Sequence, residues 1–327
     1  MGKTVKFIVF SDLHYHNWRQ HNEEGKRLNV AREVLSQVSK ACTKYQVPAL
    51  FAGDIAHDPE HIGNITLHHF VDAYLEHFEY PKIPFYAISG NHDQAMHNTY
   101  KNPSISYSQT FEKLFSTFTL LDYATVTVGD TLVAGIPYNN GDSDYEYWVP
   151  KLKKVGDRAK RIRRKILLLH TDLPGAKDPS GYTTKNISGL SKYTDMFKGY
   201  DLVLSGHIHK YQVLHPRIVS IGAPVQQRRS DMGCEMGYLK VYTDCTTELV
   251  PLELPQFKFI PLGRKTPPDT THYWVPLPNE EEDISEGDRQ ELRNFKNNTD
   301  PKKMGKKYLK MKGIRDKVKR NALLKVL

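Results

Sequence analysis

The sequence predicts a mixed α/β sandwich with helices on its outer faces, and three observations support that fold class. Short apolar runs rich in β-branched and aromatic residues recur along the chain, and each ends in polar residues or glycine, as strands do. Helical patterns separate the early runs, whereas the later runs follow one another closely. The chain has 327 residues, close to the roughly 250–300 at which a single core stops growing, so we expect one large domain with a modest appendage.

The predicted elements follow in order along the chain. The first strand covers residues 5–10, and apolar positions at helical spacing predict a helix over residues 28–45. A strand at 49–52, a helix at 65–78 and a strand at 85–88 come next. Further strands are expected at 125–128, 131–136, 166–169, 202–204, 218–221, 238–242 and 248–252. Helices between early strands and denser strands later are typical of sheets covered by helices.

The composition is that of an ordinary globular protein. Hydrophobic residues make up 39% and charged residues 25% of the chain. No window approaches the roughly 18 uncharged apolar residues of a membrane span, so we expect no membrane partner. The N-terminal run passes from Lys6 into an apolar strand without the cleavage region of a signal peptide, which predicts mature sequence. Cys42, Cys234 and Cys245 form no CxxC pair, which favours a reducing, cytoplasmic compartment.

The net charge of +9 is concentrated in two basic blocks. Residues 151–165 contain nine Lys or Arg and one acid, and residues 302–327 contain eleven and one. The rest of the chain is therefore net negative. Concentrated positive charge suits a polyanion such as nucleic acid, because each neutralised phosphate releases counterions. A solvated helix face is the alternative for either block.

The pattern changes after about residue 262. Residues 264–271 (RKTPPDTT) are polar and rich in proline, which is typical of a linker. An acidic stretch at 280–286 and the second basic block follow. We predict a main domain over residues 1–262 and, over residues 263–327, a linker with a basic tail that binds a partner or DNA.

Polar residues cluster where five of the predicted strands end. They are Asp12 and His14, Asp54, Asn91 and His92, His170, and His207 and His209. Taken singly, each cluster is as readily a turn or a set of surface side chains. Five clusters in this order, each directly after a predicted strand, indicate a metal site. Carboxylate, carboxamide and imidazole ligands suit borderline divalent metals such as Mn, Zn or Fe rather than an all-oxygen Ca or Mg cage.

The ordered set D-x-H, G-D, G-N-H-D, H and G-H-x-H resembles the calcineurin-like metallophosphoesterase superfamily over roughly residues 1–255. This resemblance implies a four-layer fold in which two mixed β-sheets are flanked by helices. It implies that one metal ion is held by Asp12, His14, Asp54 and His209. A second would be held by Asp54, Asn91, His170 and His207, with Asp54 bridging. His92 would be the catalytic residue that is not a ligand.

The resemblance also implies the chemistry. Two cations about 3.5–4 Å apart polarise a phosphoryl oxygen and lower the pKa of a bridging water, which generates hydroxide for in-line attack. The carboxylate of Asp54 can span both ions. His92 can donate a proton to the leaving alkoxide, a role worth roughly 10²- to 10⁴-fold in rate.

Within this superfamily, the residues after the bridging aspartate favour a nuclease. Protein phosphatases have an aspartate three residues after it and then Arg-Gly, whereas this chain has His57 and no Arg-Gly. A histidine there resembles the meiotic-recombination-11 type of DNA-repair nuclease, whose bacterial version is SbcD and in which it helps to position DNA. The turn Gly222-Ala223-Pro224 is similar to the Gly-Ser-Pro turn of that family. A surface or helix-capping role is the alternative for His57.

The resemblance implies a Mn²⁺-dependent DNA nuclease subunit, in a bacterial or phage-infected cytoplasm, that acts in repair, recombination or replication. It would digest duplex ends with 3′-to-5′ polarity and cut single strands, as a homodimer within a heterotetramer with an SMC-like ATPase. Few residues remain after the main domain, so the DNA-capping domain of this family is small or absent. Two alternatives stay open: a phosphodiesterase or phosphatase for a small molecule or cyclic nucleotide, and a catalytically silent scaffold of the same fold.

Overall fold

Two six-stranded sheets pack face to face in the computed structural model of this chain. The structure describes residues 2–17, 26–59, 61–95, 105–139, 142–158, 161–181, 183, 195–260 and 272–276. Two compact units divide the chain: Met1–Lys258 with Pro267–Val275, and Phe259–Thr266 with Pro276–Leu327. The second unit falls almost wholly outside the described residues. The boundary predicted after residue 262 and the basic tail at 302–327 therefore stay predictions.

The first sheet has the strand order β12-β11-β1-β2-β3-β4. Its strands are β1 (Val5–Phe10), β2 (Ala49–Phe51), β3 (Phe85–Ala87), β4 (Phe118–Leu120), β11 (Gly237–Tyr242) and β12 (Thr247–Pro251). Strands β1 to β4 pair in parallel, and β11 is antiparallel to both of its neighbours. The helices α1 (Lys26–Tyr45), α2 (Asn64–Tyr74) and α3 (Tyr107–Leu114) lie between these strands in sequence. Their apolar faces pack on this sheet.

The second sheet has the order β5-β6-β7-β8-β10-β9. Its strands are β5 (Thr125–Val128), β6 (Thr131–Ile136), β7 (Arg164–His170), β8 (Leu202–Gly206), β9 (Gln212–His215) and β10 (Ile218–Ser220). Strands β6, β7, β8 and β10 are parallel, and β5 and β9 are antiparallel edge strands. Helix α4 (Asp142–Arg158) packs on its outer face. The strands β13 (Phe257–Ile260) and β14 (Tyr273–Pro276) form a separate two-stranded sheet.

The alternation of side chains along the strands produces the four layers. In β1, Phe7 and Val9 join the core between the sheets, whereas Ile8 and Phe10 join the core under the helices. A strand places successive side chains on opposite faces, so an unbroken apolar run indicates a strand covered on both sides. The predicted fold class, two mixed sheets flanked by helices, is confirmed.

Several predicted bounds differ from the observed ones. The second helix was expected to run to residue 78, but α2 ends at Tyr74 and continues as a π-helical turn, Leu75–Glu79. Helix α4 coincides with part of the first basic block and contains Pro150, a residue that breaks most helices.

The three cysteines are free thiols. Among the described residues, no helix is both long and apolar enough to cross a membrane.

Candidate metal centre

The loops that follow five parallel strands meet at one edge of the two sheets. Asp12 and His14 follow β1, Asp54 follows β2, and Asn91 and His92 follow β3 of the first sheet. His170 ends β7, and His207 and His209 follow β8 of the second sheet. Because the strands are parallel, their carboxyl ends share an edge, which is where open α/β sheets bind ligands. The predicted site residues are thus brought together from both sheets.

One triad of possible ligands consists of Asp12, His14 and His209, whose ligand atoms lie within 4.8 Å of one another. His14 Nε2 lies 3.1 Å from His209 Nε2 and 4.0 Å from an oxygen of Asp12. All three side chains are buried. We call this group triad 1. It draws two residues from the first sheet and one from the second.

The second triad consists of Asp54, His170 and His207. His170 Nε2 lies 3.2 Å from Asp54 Oδ2 and 3.3 Å from His207 Nδ1. The amide oxygen of Asn91 lies 3.1 Å from His170 Nε2 and 2.9 Å from His207 Nδ1, so it completes the group. We call the three residues triad 2, with Asn91 as its fourth possible ligand.

Asp54, a member of triad 2, also lies close to triad 1. Its Oδ2 is 3.6 Å from His14 Nε2 in triad 1 and 3.2 Å from His170 Nε2 in triad 2. Its Oδ1 accepts a hydrogen bond of 2.8 Å from the backbone N–H of His92. Burial acts in the opposite direction, but the imidazoles of His170 and His14 hold the pKa of Asp54 well below its ordinary value. The position is that of a carboxylate shared by two cations.

The donor set fits two divalent cations. Burial lowers the pKa of His14 well below its ordinary value and lowers that of His207 to about 3. Both rings are therefore neutral near pH 7, and each keeps a nitrogen lone pair for a cation. The Nε2 atoms of His14 and His209 face each other at 3.1 Å. A cation can accept lone pairs from both rings at once, which suits the mixed imidazole and carboxylate ligands of Mn, Zn or Fe.

The backbone at the site adopts conformations that most residues avoid. Asp12, His14, Asp54 and His207 all have positive φ angles, between 46° and 84°. Such angles are uncommon outside glycine and concentrate at functional sites. Gly53 has φ +93°, and a Cβ there would lie 2.5 Å from His170 Nδ1. Only glycine allows the loop after β2 to approach His170 of triad 2 so closely.

His92 is held beside the triads without belonging to triad 1 or triad 2. Its Nδ1 forms a short hydrogen bond with the main-chain carbonyl of His57. Its ring meets that of His14 edge to face, with centroids 4.7 Å apart. Since the carbonyl accepts the Nδ1 proton, Nε2 is the nitrogen that remains for proton exchange with a substrate.

His57 is partly buried and lines the site. Its Nδ1 is 3.3 Å from His14 Nδ1, and its ring centroid is 5.0 Å from that of His92. Burial, with a further contribution from His92, lowers the pKa of His57 to about 4. The side chain lines the same cavity as His14 and His92, about 460 Å³ in volume. This placement argues against the surface or capping role that the sequence left open.

Asp93 is a structural residue that the sequence analysis missed. Its buried carboxylate accepts hydrogen bonds from the backbone N–H groups of Asp54, Ile55, Ala56 and Gly90, at 2.8–3.2 Å. Burial, with Asp54 nearby, raises the pKa of Asp93 to about 7, while the backbone donors favour the carboxylate. Asp93 therefore fixes the loop that carries Asp54. Its position as the last residue of G-N-H-D was the available signal.

Asp231 was also missed. It is fully buried, and its Oδ2 lies 3.3 Å from His209 Nδ1. The same oxygen accepts from the backbone N–H groups of Gln227 and Arg228. The side chain of Gln227 in turn donates to the carbonyl oxygens of Asp12 and Leu13 at 3.2 and 3.1 Å. No motif in the sequence marks Asp231, since only the folded loop brings it behind His209.

Several known proteins are similar to this chain. The chain is 26% identical over 257 residues to an uncharacterized protein, R555, of Acanthamoeba polyphaga mimivirus. That match covers 72% of this chain but only 17% of the length of R555. Among solved structures, a dimetal phosphatase from Danio rerio is similar over 74% of this chain and 93% of its own, with 9% identity and a TM-score of 0.48. The calcineurin-like phosphoesterase YfkN from Bacillus subtilis is similar over 76% and 89%, with 14% identity and a TM-score of 0.40.

The profile of one protein family also matches. It is described as calcineurin-like phosphoesterase, and it covers residues 5–211. The matched segment runs from β1 to the residues just after β8, so it contains both triads and His92. It also amounts to more than half of the 327 residues. The chain therefore belongs to the calcineurin-like phosphoesterase family of metal-dependent phosphoester hydrolases.

Proposed function

We propose that this chain is a DNA nuclease that hydrolyses phosphodiester bonds with two divalent cations, Mn²⁺ being the expected metal. The family assignment and the two triads support a metal-dependent phosphoester hydrolase. The observation that carries the choice of substrate is His57, which lies in the cavity beside His92. The site is complete, which disfavours the catalytically silent scaffold.

Each group in the site has a role in this reaction. Triad 1 and triad 2, joined by Asp54, would hold the cations, which would supply Lewis-acid activation of the phosphoryl group and of water. His92 is oriented by the main-chain carbonyl of His57, so its Nε2 can deliver a proton to the leaving oxygen of the cleaved strand. Asp54 also accepts the backbone N–H of His92, which couples the bridging carboxylate to the position of this proton donor.

His57 distinguishes this site from that of a protein phosphatase. Its carbonyl orients His92, a task that requires no particular side chain at position 57. The imidazole lines the cavity beside His92, and with a pKa of about 4 it is neutral near pH 7. A neutral ring in the cavity wall can hydrogen-bond a phosphate or sugar next to the cleaved bond.

The remaining parts of the proposal concern assembly. We propose digestion of duplex ends with 3′-to-5′ polarity, cleavage of single strands, and a homodimer that works with an SMC-like ATPase. The residues proposed to contact that partner, 302–327, lie outside the described residues. Their eleven basic side chains support an acidic or nucleic-acid partner surface. Co-purification of the full chain with such an ATPase tests this part.

An activity assay tests the nuclease directly. We expect purified protein with Mn²⁺ to degrade linear duplex DNA, and we expect His57→Ala to lower that rate at least about 10-fold through loss of strand positioning. Hydrolysis of bis(p-nitrophenyl) phosphate should fall less, because alanine keeps the carbonyl that orients His92. His61→Ala is the matched control, since this histidine is in the same loop and its side chain is 82% exposed. Intact DNA beside rapid turnover of the small diester would rule out the nuclease.

A second candidate function has one observation in its favour. The cavity of about 460 Å³ is within the range that encloses a single nucleotide-sized ligand. Its wall includes Asp172 and Asp178, whose negative charge disfavours a long polyanion. A phosphodiesterase or phosphatase for a cyclic nucleotide or another small phosphoester is therefore the alternative. It predicts a different result for the same variant: His57→Ala would lower the hydrolysis of small and polymeric substrates by the same factor.

A further inference from the structure

One face of helix α4 presents an aromatic ring and three cations to solvent. These exposed side chains are three or four positions apart, so they form one line along the helix: Tyr147, Lys151, Lys154 and Arg158. We call this line the α4 stripe. The opposite side of the helix, including Val149 and Leu152, is buried in the core under the second sheet. At 1.5 Å per residue the stripe is about 16 Å long.

Within the described part of the chain, the cations of the stripe have no acidic partner. Among the described residues, no carboxylate lies within ion-pair distance of Lys151, Lys154 or Arg158. The end of the same basic block behaves differently, because Arg164 and Lys165 pair with acidic side chains. The predicted block therefore divides into a paired half on β7 and an uncompensated half on α4. Uncompensated positive charge on one face attracts a polyanion.

The aromatic ring of the stripe is held in place by its neighbours. Tyr147 is 47% exposed, and its ring stands perpendicular to that of Trp148, with centroids 5.2 Å apart. The ammonium of Lys151 lies 4.1 Å from the Trp148 centroid and 5.1 Å from the Tyr147 centroid. An exposed ring beside an oriented cation is the arrangement on which single-strand binding proteins stack bases.

A continuous set of contacts leads from the metal centre to the stripe. The ring of Tyr138 lies 5.5 Å from that of His207 in triad 2. The next residue, Asn139, accepts a hydrogen bond of 2.7 Å from the hydroxyl of Tyr123. The Tyr123 ring lies 4.9 Å from that of Trp148, which adjoins the stripe. The stripe therefore begins close to the edge of the sheet where the metal centre lies.

We propose that the α4 stripe binds single-stranded nucleic acid, with a base stacked on Tyr147 and phosphates on Lys151, Lys154 and Arg158. This inference rests on the proposed nuclease function and assigns it a second binding surface outside the catalytic cavity. The combination of stacking ring and cations selects the occupant. An acidic protein segment would use the cations but would gain nothing from the flat face of Tyr147.

Binding measurements on the full chain test the stripe. The background is Asp54→Asn with chelator, so that the probe, a fluorescein-labelled oligodeoxythymidine, is not cleaved. Tyr147→Ala should weaken binding about 5- to 150-fold, the loss of one stacked base. Replacing the three stripe cations with Gln should reduce the slope of log affinity against log salt by about 2, since each phosphate on a single strand contributes about 0.7. The matched controls are Tyr80→Ala, at a tyrosine 72% exposed on another helix end, and a triple Gln variant of the exposed Lys3, Lys44 and Lys113.

The outcomes separate this inference from the proposed function. Unchanged affinity and salt slope in the stripe variants would overturn it, as would equal losses in the two control variants. Competition by polyglutamate as strong as that by unlabelled oligonucleotide would also overturn it, in favour of an acidic protein. If wild-type protein cleaves DNA while the stripe variants bind like wild type, only the stripe is wrong. If wild-type protein cleaves no DNA, the nuclease proposal fails, whatever the stripe binds.

Discussion

Two of the candidate metal ligands, His209 and His207, each face a carboxylate, at nearly equal distances but in different surroundings. His209 Nδ1 lies 3.3 Å from Asp231, whose side chain is 0% exposed. His207 Nε2 lies 3.4 Å from Asp172, whose side chain is 55% exposed. A buried carboxylate orients an imidazole far more firmly than a solvated one, because water screens the exposed pair and competes for its hydrogen bonds. Contact distance alone therefore does not show which acid positions its ligand.

The surroundings of Asp231 extend this difference. Its oxygen also accepts two backbone N–H groups of the loop after β10, and Gln227 in that loop donates to the carbonyl of Asp12 after β1. The two ends of triad 1 come from different sheets, and Asp231 connects them. Although burial opposes it, the hydrogen bond with His209 keeps the pKa of Asp231 below its ordinary value, so the acid is ionised. Asp172 has no comparable framework among the described residues, apart from its contact with His207.

The largest effect is expected at Asp54, the member of triad 2 that also lies beside His14 of triad 1. Asp54→Asn replaces the bridging carboxylate with a neutral amide, so we expect hydrolysis of every phosphodiester to fall by more than about 100-fold. Inductively coupled plasma mass spectrometry of the purified variant should find fewer than two metal equivalents. A circular dichroism spectrum like that of wild type is the control for folding. Full activity in this variant would contradict the shared site.

A smaller effect is expected at Asp231. An amide at this position keeps an acceptor oxygen for the two backbone N–H groups and for His209 Nδ1, but it lacks the negative charge that raises the basicity of the His209 ring as a ligand. We expect Asp231→Asn to lower the affinity of triad 1 for Mn²⁺ by about 10- to 100-fold, the usual cost of losing such a partner. Isothermal titration with Mn²⁺ measures this directly. If both Mn²⁺-binding steps keep their wild-type affinities, the buried carboxylate of Asp231 does not contribute to metal binding through His209.

Asp172→Asn provides the matched comparison. Because the carboxylate is half exposed, its pair with His207 contributes little, and we expect metal affinity to change less than about 3-fold. The same titration measures it. If Asp172→Asn lowers the affinity for Mn²⁺ as much as Asp231→Asn does, the comparison is wrong. An exposed acid would then orient its histidine ligand as well as a buried one.

The last prediction concerns stability rather than metal binding, at a carboxylate that faces the backbone rather than an imidazole. Asp122 accepts the N–H of Ser89, and burial raises the pKa of Asp122 to about 6. The raised pKa means that the folded protein holds the proton more tightly than the unfolded chain. The resulting stability is present below pH 4 and is lost as the pH rises through about 6, by about 3 kcal/mol. Urea unfolding at several pH values should show this loss, and Asp122→Asn should remove it.

The sequence predicted the parts of the site that depend on local pattern. Each candidate ligand follows an apolar strand, so hydrophobic periodicity was enough to place Asp12, His170 and His207 at strand ends. It could not place Asp231, because no spacing or motif connects a residue in the loop after β10 with His209. Helix α4 was seen only as a basic block, since Pro150 and the charges obscured its periodicity. The positive φ angles of four candidate ligands likewise have no signal in residue type, apart from the adjacent Gly53.

Those φ angles have a consequence for how the protein folds. A residue other than glycine in the left-handed region costs roughly 1–2 kcal/mol, and Asp12, His14, Asp54 and His207 all lie there. The cost is borne where acidic and imidazole groups already crowd together. Bound divalent ions would stabilise the folded protein by holding these four residues in their strained backbone conformations. A chelator should therefore lower the melting temperature as well as the activity. In a cell short of metal, a larger fraction of this protein would consequently be unfolded and open to degradation.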